Sequence, residues 1–435
     1  MREALPVTPH ARDATPCALP GTPLAQAAAG IDACVHCGFC LHACPTYLAL
    51  EDENDSPRGR LVLMRGLLNG DVTLTDPVVK QHMDRCLGCR ACETACPSGV
   101  PYGQLLEATR ATMRRVTKPP LVAAIILRAF ASRPLLAAAL RGGRVVRALG
   151  LPQLLARLPG RIGAGMAMLA STRPVLDTRA YATPMHGTRG DVTLLRGCVM
   201  EGLQTATNAA TVRTLRVNGY GVVETALQGC CGALHAHAGD LDTARALARA
   251  NIAAFETTPN ALIAVNAAGC GAMLKEYAHL LHDDPAWHAR ATAVSARTRD
   301  ATELLAAAGP KPATLPAPVR ITYDAPCHLQ HAQRITSPPL AVLSAIGNIT
   351  HIPLEDSDQC CGSAGIYNLI EPDVSDAVLA PKLRNIAATG ATLVVTGNPG
   401  CLMQIGAGLL RTGATARVVH PIDLLDAAYA ADAAQ

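Results

Sequence analysis

Aromatic residues are scarce in this 435-residue chain: Phe, Tyr and Trp together make up 3%, with a single Trp and three Phe. Its cores must therefore be built from Ala, Leu and Val, within an apolar content of 49%. Excess charge is also lacking. A net charge of +4 implies no nucleic-acid partner, and no RNA- or DNA-reading motif occurs. The opening MREALPVTPHARDATP has no apolar leader, so the thiols are expected to stay in a reducing compartment. No segment approaches the ~18 uninterrupted apolar residues of a spanning helix. The longest relevant run, Leu121 to Leu127, is far shorter. No Gly-rich dinucleotide fingerprint follows a strand, so the chain has no evident flavin or nicotinamide site of its own.

Cysteine is abundant, with seventeen in the chain. In a reducing compartment they read as metal ligands rather than disulfides. Eight fall in two ladders, CVHCGFCLHACP from Cys34 and CLGCRACETACP from Cys86. The spacing C-x2-C-x2-C-x3-C-P is that of bacterial [4Fe-4S] sites, in which the fourth cysteine ligates the other cluster. On that rule Cys34, Cys37, Cys40 and Cys96 hold one cluster, and Cys86, Cys89, Cys92 and Cys44 the second. Structural zinc sites also use C-x2-C pairs, but zinc needs no third cysteine at the same interval followed by Cys-Pro. Between the ladders, Ser56-Pro57 and Asp76-Pro77 are helix-start signals, and Asn69-Gly70 ends the first helix. Arg58, Arg60, Arg65, Arg85 and Arg90 lie near the ladders, either offsetting cluster charge or forming a solvated face.

A longer repeat occupies the second half. Cys198 matches Cys327, Cys230-Cys231 matches Cys360-Cys361, and Cys270 matches Cys401, at offsets of 129, 130 and 131 residues. So steady a shift marks two copies of one domain. Each copy has short strands, such as Leu262 to Val265 and Leu393 to Thr396, leading into turns and alanine-rich helices, an α/β pattern. The eight cysteines of the copies are candidate ligands for a further cluster, with buried structural cysteine the alternative for any one of them.

Acidic residues are absent from Ala108 to Leu176, where twelve Arg and Lys occur. Arg128, Arg133, Arg141, Arg144, Arg147 and Arg157 recur among apolar helical stretches there. Such helices dock on anionic membranes or acidic partners, or else form a packed linker. The organisation expected is a tail (1–30), a helical two-cluster module (31–116), a basic helical connector (117–185) and two α/β Cys-Cys-Gly domains (186–310 and 311–435). The fold class is multidomain α/β.

The order of the motifs, CVHCGFCLHACPTYLAL with SPRGRLVLMRGLL, then HMDRCLGCRACETACPSGVPYG, then two Cys-Cys-Gly repeats, resembles the iron-sulfur subunits of bacterial glycolate oxidase. The related subunits of heterodisulfide reductase, anaerobic glycerol-3-phosphate dehydrogenase and lactate-utilisation complexes share this architecture. The resemblance implies two [4Fe-4S] clusters and partner subunits that bind FAD and oxidise glycolate. It implies electron flow through this chain toward a quinone or other acceptor, at the inner face of the cytoplasmic membrane. It leaves open a related lactate or glycerol-3-phosphate enzyme, or a catalytic heterodisulfide-reductase-like subunit. One departure stands out. The fuller Cys-Cys-Gly motif closes with Cys-x-x-Cys, whereas this chain has Met273 after Cys270 and Gln404 after Cys401.

Overall fold

Side-chain oxygens placed before prolines start the helices of the first module. In the computed structural model, Ser56 Oγ accepts from Gly59 N at 2.9 Å to open α1 (Pro57–Asn69). Gly70, at φ +83°, closes that helix. Asp76 opens α2 (Pro77–Asp84) by accepting from Val78 N at 2.8 Å, and α3 (Tyr102–Arg114) follows the second ladder. Both start signals lie where the sequence placed them, because proline costs nothing at a position whose N–H is unpaired anyway. Leu61, Met64, Leu67, Met83, Leu105 and Leu106 form the core of this helical module. The structure describes residues 17–176 and 180–434. The opening stretch 1–16, on which the expectation of no leader rests, and the connector residues 177–179 lie outside the described residues.

Four helices make the connector: α4 (Leu121–Ala131), α5 (Arg133–Ala148), α6 (Leu151–Leu155) and α7 (Gly160–Ser171). Their inner faces pack on the protein. Leu127 and Ala123 of α4 are buried, and the Leu127 carbonyl accepts from the His235 ring at 3.0 Å. On α7, Ala167 packs with Ala407, and Ser171 Oγ donates to Met403 O at 3.2 Å. Several connector arginines hold backbone carbonyls: Arg147 donates to Thr172 O and Leu203 O, each at 2.8 Å, and Arg133 to Leu227 O. Arg147 is therefore part of the packing rather than of an outward charge set. No single helix among the described residues is long and apolar enough to cross a membrane. The pair α4 and α5 passes only when taken together, and it is bent by 107°.

Each Cys-Cys-Gly copy is a four-stranded parallel sheet. The first contains β1 (Asp191–Leu194), β2 (Gly221–Val223), β3 (Leu262–Val265) and β4 (Thr298–Asp300), in the order β2-β1-β3-β4. The second contains β5 (Ala313–Tyr323), β6 (Ile346–His351), β7 (Leu393–Val395) and β8 (Arg417–Val419), in the matching order β6-β5-β7-β8. Strand β7 stops one residue short of the expected Thr396, whose hydroxyl instead donates to Asp324 Oδ2 at 3.0 Å. Central strands β1, β3 and β7 are buried on both faces, as sheets covered by helices on both sides require. The two sheets share one core that includes Val192, Leu215, Ile321 and Leu425.

Candidate metal centres

All eight repeat cysteines lie beyond the carboxyl ends of parallel strands, where open α/β sheets present their loops. Cys198 follows β1, Cys230 and Cys231 follow β2, and Cys270 sits in the first turn of the helix Ala268–Lys275 after β3. Cys327, Cys360, Cys361 and Cys401 take the same places after β5, β6 and β7. The glycine of each Cys-Cys-Gly is required by the turn. Gly232 and Gly362 have φ of +93° and +81°, and a Cβ on Gly362 would lie 2.5 Å from Ser375 O. That turn aims both adjacent thiols at their neighbours.

In the first copy the thiols run in series, Cys198 to Cys230, Cys230 to Cys231 and Cys231 to Cys270. The second copy repeats the series as Cys327, Cys360, Cys361 and Cys401. Hydrogen bonds from neighbouring thiols, and then burial, push Cys198, Cys231 and Cys401 well above the ordinary thiol range, while Cys230 is pulled down by its two thiol neighbours. So many adjacent sulfurs cannot all ionise without positive charge among them. Iron would supply that charge, and an all-sulfur donor set suits it. The positions of the missing closing cysteines are otherwise occupied. Met273 is buried in the core of the first copy, and Gln404 bonds Asn368 and Ser375 at 2.9 Å each.

In the helical module Cys34, Cys37, Cys40 and Cys96 line one small cavity of about 30 Å³, together with Cys92 and Arg58. Cys44 lies instead beside Cys89 and Cys86, and Cys92 faces all three. Burial pushes the Cys40 thiol up to about 11 and raises Cys44 and Cys92 as well. The donor chemistry of both groups fits iron-sulfur clusters. The five neighbouring arginines divide. Arg58 pairs with Glu53, Arg65 with Asp32, and Arg90 with Glu93 and Glu276. Arg60 is fully buried, bonds Asp55 Oδ1 at 3.0 Å and His82 O at 2.7 Å, and Arg85 closes on the other Asp55 oxygen at 3.0 Å. Burial opposes the charge on Arg60, but Cys86, Tyr102, Cys44 and Asp55 around it hold the guanidinium protonated. It is a fixed positive charge between the ladders.

A link absent from the sequence reading joins the module to the second copy: Cys89 lies beside Cys360, in one buried cluster with Cys327. Tyr367 OH donates to Arg85 O at 2.8 Å, and Thr94 Oγ1 meets His331 Nδ1 at 3.0 Å, so the second ladder is seated on this copy. The other side of the ladder is held by the first copy, through Arg90 to Glu276 and Arg110 to His237 O at 2.8 Å. The copies meet through Asn398, whose amide donates to Cys401 Sγ at 3.5 Å while its carbonyl accepts from Gly269 N at 3.2 Å, next to Cys270. Sequence reasoning also missed Lys382 and Asp324, buried and paired at 2.5 Å beside Cys361 and Cys401. Burial opposes the charge on Lys382, but Asp324 beside it holds the ammonium above the ordinary lysine range. A signal existed, since the residue 129 positions before Asp324 is Leu195.

Comparison with known proteins agrees with this division. Residues 30–100 match the 4Fe-4S dicluster domain, and residues 192–275 and 321–406 each match the cysteine-rich domain. The chain is 38% identical over 378 residues to the glycolate oxidase iron-sulfur subunit of Escherichia coli (strain K12), covering 85% of this chain and 88% of that one. It is 37% identical over 412 residues to a Bacillus subtilis (strain 168) protein named "Probable glycolate oxidase iron-sulfur subunit", covering 90% and 92%. Lactate utilization protein A of Exiguobacterium sp. (strain ATCC BAA-1283 / AT1b) is 29% identical and aligns with 54% of this chain.

Proposed function

Since this chain belongs to the family of glycolate oxidase iron-sulfur subunits, we propose that it conducts electrons from FAD-binding partner subunits, which oxidise glycolate to glyoxylate, toward a quinone or other acceptor. Bound iron-sulfur clusters supply the one-electron storage for this. Cys34, Cys37, Cys40 and Cys96 would hold one cluster, Cys86, Cys89, Cys92 and Cys44 a second, and the cysteines of the copies further iron. Arg60 supplies fixed positive charge beside Cys44 and Cys86, and the buried helices around α1 keep water from them.

The supporting observation is the continuity of the thiols. From exposed Cys37 they pass to Cys40 and Cys44, then to Cys89, across to Cys360 and Cys361, and on to Cys401. Asn398 then carries the series to the loop of Cys270. Glycolate is favoured over lactate because the glycolate relatives are 37–38% identical over 85–90% of the chain, whereas the lactate relative is 29% identical over about half of it.

Anaerobic purification with the partner subunits tests this reading. Cys37→Ser or Cys89→Ser should lower the iron count and block reduction of quinone or dye by glycolate, while glycolate still bleaches the partner flavin. Quinone reduction at the parent rate by either variant would overturn it. Iron in excess of two [4Fe-4S] clusters, lowered by Cys230→Ser, would show metal in the copies.

A further inference from the structure

The connector exposes an unusual amount of apolar surface. Among the described residues, ten of the twenty-one exposed large apolar side chains fall between Leu121 and Ile162, about a tenth of the chain. Scattered singly such residues need no explanation, but clustered ones do. Leu121 is 75% exposed, Ile125 61%, Leu149 68% and Leu154 67%, with Leu158 and Ile162 beyond them. These are the outward counterparts of the faces that seat Ala123, Leu127 and Ala167 on the protein.

Positive charge is interleaved with them. Leu121, Ile125 and Arg128 share one face of α4 at helical spacing, and Arg141 and Arg157 are likewise exposed. The side chains of Arg128, Arg141 and Arg157 make no hydrogen bond or ion pair to any other described residue, unlike Arg133 and Arg147. No acid lies anywhere in the acid-free segment to balance them. Partner-protein surfaces that meet such a face must bring all the negative charge themselves; an anionic bilayer offers it at every point of contact, with an apolar layer beneath. The bend of 107° between α4 and α5 suits helices that lie flat rather than cross.

The face also has a position on the electron route. Leu127 O holds His235, four residues after Cys231, and Arg133 holds Leu227 O, three residues before Cys230. We propose that the outward face of α4 to α7 rests on an anionic lipid surface and so brings the first copy's cysteines toward an acceptor dissolved in the membrane. This rests on the electron-conducting reading above and adds where the acceptor is met.

The test uses the complete complex, sedimented with vesicles of phosphatidylcholine containing phosphatidylglycerol and with phosphatidylcholine alone. The parent should bind only the anionic vesicles and should leave them as salt is raised, because exposed charges are screened over ~8–10 Å. Arg128→Ser with Arg141→Ser and Arg157→Ser should weaken binding at least about tenfold. Leu149→Ser with Leu154→Ser should weaken it separately, with iron content and glycolate-driven reduction of a water-soluble dye unchanged. Equal binding to neutral vesicles, parent-like binding by both variants, or loss of the partner subunits in place of the vesicles would overturn the proposal. Failure of the parent complex to reduce the dye would instead sink the electron-conducting reading, whatever the vesicles show.

Discussion

The two Cys-Cys-Gly copies have the same strand order, the same left-handed glycine and the same series of four thiols, yet their surroundings differ. All four cysteines of the second copy are buried, and Cys360 touches Cys89 of the second ladder. In the first copy Cys198 and Cys270 are half-buried and no ladder cysteine reaches them. Inside, the second copy carries the ion pair Lys382–Asp324, with Lys382 also donating to Asp356 O and Ser357 O at 3.2 Å. At the place 131 residues earlier the first copy has neutral Asn251, which donates to Cys230 O at 2.8 Å and accepts from Gly229 N at 2.8 Å. Both residues tie the helix to the loop of the Cys-Cys pair, one with charge and one without. Duplication kept the geometry of the cysteine loops, and divergence assigned one copy to the ladders and the other to the connector.

Breaking the two tethers should show the largest difference. Lys382→Met leaves the buried Asp324 without its cationic partner and should cost ~3–5 kcal/mol, whereas Asn251→Ala leaves a buried carbonyl and N–H unpaired for ~1–3 kcal/mol. Denaturant unfolding of the full chain measures both. Restoring an apolar pair with Lys382→Met and Asp324→Leu, the residue type at Leu195 in the first copy, should recover most of the loss. If Asn251→Ala proves as damaging as Lys382→Met, the charged and neutral tethers are equivalent and the contrast fails.

The contact between Cys89 and Cys360 predicts an asymmetric effect of matched substitutions. Cys360→Ser should alter the electron paramagnetic resonance of the reduced ladder centres and slow glycolate-driven reduction of quinone by about tenfold or more, one decade being ~1.4 kcal/mol of barrier. Cys230→Ser should leave the ladder spectrum as in the parent. Identical spectra for the two variants would mean that the second copy has no privileged contact with the ladder.

A smaller effect should separate the copies by pH. After its last strand each copy caps a helix, the first with Asp300 on Ala301–Ala308 and the second with His420 on Pro421–Asp432. Burial pushes Asp300 up to about 6 and His420 down to about 4. His420 must stay neutral, since its Nδ1 accepts from Ile422 N at 3.1 Å while Nε2 meets Asn266 O at 2.9 Å. Its folded value lies below the unfolded ~6.5, so its contribution is full above that pH and is lost as pH falls toward about 4. Asp300, raised above the unfolded ~3.9, favours the folded state at low pH and loses that contribution as pH climbs through about 6. Hydrogen exchange of the two helices, corrected for intrinsic rates, should therefore move in opposite directions across this range. His420→Asn should flatten the response of the second helix alone, and an unchanged slope would refute the assignment.

Much of this protein was legible along the chain because the signals were local. Ser56-Pro57 and Asp76-Pro77 start helices through oxygens two or three residues from the N–H groups they satisfy, and a Cys-Cys-Gly turn needs only its own glycine at positive φ. Cysteine spacing and the steady offset between copies likewise survive in one dimension. The duplicated domains, the ladders and the acid-free connector are all marked along the chain itself.

Tertiary structure decided what depends on residues far apart. Arginines that look alike in sequence separate by burial: Arg60 is sealed between the ladders, Arg147 holds two carbonyls, and Arg128 faces outward. Cys89 meets Cys360 across 271 residues of chain, and Lys382 meets Asp324 across 58. Such contacts leave no periodic trace, because they are made by the packing of whole domains rather than by the spacing of neighbours. Sequence alone therefore determined which thiols exist and in what loops they are offered, while packing determined which thiols touch, since only the burial of apolar surface between domains brings those loops together.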